Sequence, residues 1–296
     1  MNAVIRFAAL SMALLWAAAL PARAELPKAE LGEAGKQEAA VTQGNLRAVL
    51  AYRPGSGGDE TGKIPHLYLA INGQFVITLK GISSGFDWPQ AEATIAELDP
   101  SNPYPEVVFT TFSGGAHCCQ HVLIATSSAD GRSWKALSAG DYDGGISLKD
   151  LDGDGRIELE VSDGRFNYVF ASYAGSVSPP MIYHLQGPKL TDVTRQAPFQ
   201  PYLRQRAAEL DQRMADIGNQ HERNGVLAGY VALKVLIGEG AAAWNVMLNS
   251  YDRTATEGLT SCQAGTDDQG RCKAPETRFP DFPKALAAFL RRTGYL

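Results

Sequence analysis

The stretch Asp150-Leu151-Asp152-Gly153-Asp154-Gly155-Arg156-Ile157-Glu158-Leu159-Glu160-Val161 sets acidic oxygens at alternate positions, admits two glycines, and runs out into alternating apolar residues. Calcium takes about six to eight oxygens at about 2.3–2.6 Å, and a chain can supply them only by curling carboxylates around the ion. Asp150, Asp152 and Asp154 meet that need, Gly155 permits the sharp turn, the Arg156 carbonyl is available, and Glu158 closes the loop. An EF-hand would place glutamate where Val161 stands and would flank the loop with helices. Here Ile146-Ser147-Leu148 and Glu158-Leu159-Glu160-Val161 are strand-like, so the loop joins two strands and the surrounding fold is β.

Working outward, the loop has a sibling. Ile95-Ala96-Glu97-Leu98-Asp99 matches Leu148-Lys149-Asp150-Leu151-Asp152, and Glu106-Val107 then falls on Glu158-Leu159. The earlier copy, Asp99-Pro-Ser-Asn102-Pro-Tyr-Pro, has lost the middle acids and is expected to bind nothing. Each copy leads to a hairpin with a glycine turn: Val122–Thr126 with Trp134–Leu137 around Gly131, and Met181–Leu185 with Leu190–Val193 around Gly187. A third hairpin comes earlier, Leu67–Ile71 and Gln74–Leu79 around Asn72-Gly73, a dipeptide that accepts the positive φ angles of a type I′ turn.

A unit of about four short strands repeated three times predicts a mainly β N-terminal part, residues 45–194, built like propeller blades or as a sandwich. Three units are fewer than the four to eight of ordinary propellers. Two arrangements therefore stand open: an incomplete blade array closed by the C-terminal helices, or a compact sandwich. The motif Asp-x-Asp/Asn-x-Asp-Gly-x-x-Asp, met by Asp150, Asp152, Asp154, Gly155 and Glu158, resembles the FG-GAP/VCBS repeat family of integrin α-subunit propellers and secreted bacterial proteins. The resemblance spans residues 90–194, is specific at 150–161, and departs from the family in having glutamate at the last position. It implies a calcium site at the loop and carries over no more of the family's role; the function expected of the chain is that of a calcium-stabilised binding or interaction module.

Residues 195–296 read as helical. Leu203, Ala207, Leu210, Met214 and Ile217 form an amphipathic stripe, and Gly225 to Ile237, Ala241 to Leu248 and Phe282 to Arg292 supply three more helices. Asp281 is a candidate N-cap with Pro283 in the first turn. Residues 25–44 are poor in apolar side chains and read as a lead-in linker. Residues 1–24 have the form of a signal peptide: Arg6, an apolar run from Phe7 to Leu20, and Ala22-Arg23-Ala24 as cleavage site, with no following cysteine to take a lipid. A periplasmic or secreted protein with no transmembrane anchor after cleavage is expected.

Residues 25–194 carry 12 basic and 21 acidic side chains, whereas 195–296 carry 13 and 11. The acidic half suits cations and repels nucleic acid, leaving protein or glycan ligands as expected partners. Of the four cysteines, Cys262 and Cys272 flank a polar loop and are expected to pair. The segment Phe112-Ser-Gly-Gly-Ala-His117-Cys118-Cys119-Gln-His121 admits several readings. The two cysteines are oxidised, to each other or to the tail; or His117, Cys119 and His121, sharing one strand face while Cys118 looks away, hold copper or zinc; or a thiol is reactive. The last two would make the chain a metal-handling protein or an enzyme. Gly81-Ile-Ser-Ser-Gly85 matches a nucleophile elbow in letters but lacks the helix that must follow. No motif names a reaction.

Overall fold

The computed structural model describes residues 25–57, 62–115, 118–219, 221–262, 264–265, 267, 269 and 271–296. Strand β1 (Lys28–Leu31) precedes a first antiparallel meander of β2 (Glu38–Gln43), β3 (Leu46–Pro54), β4 (Lys63–Ile71) and β5 (Gln74–Lys80). A second consists of β6 (Ala91–Ala96), β7 (Glu106–Phe112), β8 (Gln120–Ser127) and β9 (Trp134–Tyr142), with β1 added beside β6. The third is β10 (Ile146–Lys149), β11 (Glu158–Ser162), β12 (Pro180–Gln186) and β13 (Lys189–Asp192). The repeated four-strand unit is thus real, and the three turn glycines each close the hairpin between the third and fourth strands of a unit. At the first of these, Asn72 and Gly73 both take positive φ, 50° and 78°, as a type I′ turn requires.

The three sheets lie one on another, and among the described residues no barrel closes. Alternation along the strands shows why. In β6 and β7, Ala91, Ala93, Ile95, Val107 and Phe109 join Leu46, Leu50, Leu67 and Leu69 of the first sheet in one core. From the opposite face of the middle sheet, Val108, Val122 and Ile124 meet Leu185, Ile146, Leu148 and Leu190 of the third. Strand β7 is therefore buried on both faces, and each such side chain contributes about 1.5–3 kcal/mol.

The far face of the third sheet is covered by α1 (Gln200–Met214), α2 (Arg223–Leu236), α3 (Gly240–Ser250) and α4 (Phe282–Arg292). Ile182, Val193, Phe166 and Phe170 pack there with Leu203, Val231, Leu286 and Phe289. Phe166 meets Phe289 edge-on at 4.8 Å. The chain end is tied back to the third sheet: the Tyr295 hydroxyl donates to buried Asp163 at 3.0 Å, and Arg165 Nη1 donates to Thr293 O at 3.1 Å. Lys234, the charge in the apolar run of α2, reaches Asp211 at 2.7 Å and Glu239 at 3.0 Å. Asp281 caps α4, accepting from Lys284 N at 2.9 Å. A short ribbon of β14 (Thr260–Ser261) and β15 (Thr277–Arg278) borders the loop in which Cys262 and Cys272 are bonded, Cα atoms 5.4 Å apart. Among the described residues no helix is long and apolar enough to cross a membrane.

One expectation is corrected. Residues 25–44 are not a loose lead-in, because β1 and β2 both lie within them. Ala29 and Leu31 alternate with exposed Lys28 and Glu30, so two small apolar contacts and a ladder on β6 order the strand. Its low apolar content hid it. The serine-glycine stretch 81–85 follows β5 as irregular chain and leads to β6 rather than to a helix, so no elbow forms.

Candidate metal centre

The loop from Asp150 to Arg156 links β10 to β11, the first and second strands of the third unit. Its turns are made by its own carboxylates: Asp150 Oδ1 accepts from Gly153 N at 2.6 Å, Asp152 Oδ1 from Asp154 N at 3.2 Å, and Asp154 Oδ1 from Arg156 N at 2.7 Å. Asp150, Asp152 and Glu158 come together with ligand oxygens within 4.8 Å of one another. Oxygens around one calcium ion span up to about 5 Å, so this spacing fits a shared cation. Asp154 is exposed and stays outside that group. The Arg156 side chain crosses to the neighbouring unit, where Nε donates to Leu98 O at 2.8 Å, and also reaches Leu185 O.

Glu158 is the unusual member. Its side chain is 0% exposed, Oε2 accepts from Leu151 N at 2.7 Å, and Oε1 lies 3.1 Å from His184 Nε2. Burial, then the charges of Asp152, Asp154 and Asp150, pushes its carboxyl up to about 7. Burial and the nearby Arg156 guanidinium hold His184 below the ordinary imidazole value. His184 stands alone in the sequence; the β11–β12 pairing brings it to the loop, with its ring edge-on to Phe199 at 5.4 Å.

The sibling loop has the same frame with different filling. Glu106 opens β7 as Glu158 opens β11, and Oε2 accepts from Leu98 N and Asp99 N, each at 2.9 Å. Leu98 corresponds to Leu151. The other oxygen of Glu106 accepts from Asn102 Nδ2 at 2.7 Å and Thr126 Oγ1 at 2.9 Å. Asp99 is likewise satisfied, by Ser101 and by Gly187 N at 2.5 Å. Protein donors occupy this loop.

At the second constellation, His117 lies outside the described residues. Cys118 and Cys119 are joined to each other across a cis peptide bond, and His121 Nδ1 lies 2.7 Å from Asp141 Oδ1. Cys118, Cys119 and His121 are not gathered as a ligand set among the described residues.

Three stacked β meanders, an acidic strand-loop-strand turn and a helical cap define a β-repeat protein with a helical C-terminal region. The helical part, residues 203–294, matches the family model described as the sll0997 C-terminal domain. The chain is 38% identical over 258 residues to a probable thylakoid lumen protein, sll0997, of Synechocystis sp. (strain ATCC 27184 / PCC 6803 / Kazusa), covering 86% of this chain and 75% of that one. It therefore belongs to the sll0997 family. It is also 35% identical over 237 residues to an uncharacterized protein, y4bJ, of Sinorhizobium fredii (strain NBRC 101917 / NGR234), which is 79% of this chain and 37% of that protein. No solved structure matches.

Proposed function

We propose that the chain is an exported, calcium-stabilised β-repeat protein that acts as a binding module, with its acidic loop serving as an FG-GAP/VCBS-type site. One observation carries this reading. The same buried glutamate recurs in two units, filled by four protein donors at Glu106 and left beside Asp150 and Asp152 at Glu158. A buried carboxylate next to other carboxylates is costly unless a cation or donors compensate it. The donor set is all oxygen, which suits a hard cation such as calcium. Asp150, Asp152 and Glu158 would hold the ion, and the ion would supply the charge that lets Glu158 ionise.

Export is supported by the lumenal description of the relative sll0997 and by the leader-like form of residues 1–24. The ligand would sit beside the loop, where Asp150 lines a cavity of about 330 Å³ with Leu26, Val108, Leu148 and Ile157. A protein segment or glycan fits such a surface, and calcium would stiffen one wall of it. The test is thermal melting in chelator and with calcium. Calcium should raise Tm in the wild type and not in Asp152→Ala; equal responses in both would refute the site.

A further inference from the structure

We propose that the Cys118–Cys119 pair is a redox site that exchanges electrons with an external dithiol. A disulfide stabilises a fold by closing a loop of chain, and a bond between adjacent residues closes none. The pair therefore does not hold the β7–β8 connection together, in contrast to Cys262–Cys272, whose partners are ten residues apart. The pair is also accessible: Cys118 is exposed and Cys119 half-buried.

The surrounding loop is shaped to present it. Ser113 Oγ donates to Cys118 O at 2.9 Å and accepts from Cys119 N at 2.6 Å, while Ser113 N donates to Cys119 O at 3.0 Å. A β-carbon on Gly114 would collide with Ser84 O, and one on Gly115 with Cys118 O, so both glycines are needed for the approach. The Ser113–Cys119 bond continues the β7–β8 ladder, which puts Cys119 and His121 on one face of the strand. His121 is held there by Asp141.

In the reaction, a thiolate of the external dithiol attacks the sulfur of Cys118, the Cys118–Cys119 bond breaks, and Cys119 leaves as a thiolate that takes a proton. The second thiol of the donor attacks the mixed disulfide and releases Cys118. Two electrons and two protons pass to the pair, and the donor leaves as its own disulfide.

Dithiothreitol titration of the folded full-length protein, with alkylation and peptide mass spectrometry, tests this. Cys118 and Cys119 should be labelled together at about tenfold less reductant than Cys262 and Cys272, with Tm unchanged. Labelling only alongside Cys262–Cys272, or a fall in Tm on selective reduction of the pair, would make it a structural link and overturn the proposal. As an independent readout, Cys119→Ser leaves Cys118 as a single thiol. On the folded protein it should form a mixed disulfide with oxidised glutathione, and failure to react would also overturn the proposal.

Discussion

The Asp99–Glu106 and Asp150–Glu158 loops occupy the same place in successive units and solve one problem in two ways. Both must hold a glutamate that is buried at the start of a second strand. The middle unit does so with Leu98 N, Asp99 N, Asn102 and Thr126. The third unit keeps the Leu151 N contact and replaces the remainder with carboxylates and His184. The buried acid of the middle loop is compensated by donors from its own loop and the next strand, whereas that of the third loop is set among other carboxylates.

The sharpest way to break this comparison is Glu106→Ala. It strands four donors around a buried site and should cost about 3–5 kcal/mol in urea unfolding, with or without calcium. In chelator Glu158→Ala should cost far less, because it also removes like-charge repulsion. If the two substitutions destabilise the metal-free protein equally, the loops do not differ as described.

The pH response separates them next. Glu158 titrates at about 7 in the folded, metal-free chain, well above its ordinary value. It therefore favours the native state at pH below the ordinary carboxylate range, and that contribution is lost as pH rises through about 7. The corresponding loss is up to about 3 kcal/mol between pH 4 and 8. In chelator, the stability of Glu158→Gln should lack this part of the fall, and a parallel profile for both proteins would contradict the assignment.

Calcium should then stabilise the wild type by about 2.7 kcal/mol at one hundred times its Kd, a shift of several degrees in Tm. Asn102→Asp, which adds an acid to the middle loop, should create no second calcium response; isothermal titration that finds two sites would show the middle loop still competent. The smallest expected effect is that of Arg156→Ala. Loss of its contacts with Leu98 O and Leu185 O should cost about 2 kcal/mol and leave calcium binding in place.

The β units and helices were legible because their signals are local. The loop spacing, the glycine turns and the helical stripe from Leu203 to Ile217 each lie within about fifteen residues. The offset between Leu98 and Leu151 even foretold matching hydrogen bonds. What escaped was set by pairing across distance. His184 reaches Glu158 only because β12 lies beside β11, and Thr126 reaches Glu106 only because β8 lies beside β7. Asp154 belongs to the loop's acidic spacing but stands outside the gathered carboxylates. Strand β1, with only two small apolar contacts, carries little signal of its own, and its ladder partner β6 lies well downstream in the chain.

That last pairing joins segments far apart in the chain. Lys28 finds Thr94, and Leu31 finds Ala91, across the whole of the first unit. A chain emerging amino end first can close its first meander while β1 still waits for β6. A chain cut short before Ala91 lacks the ladder partner of β1 and leaves that strand held only by its packing on the first sheet.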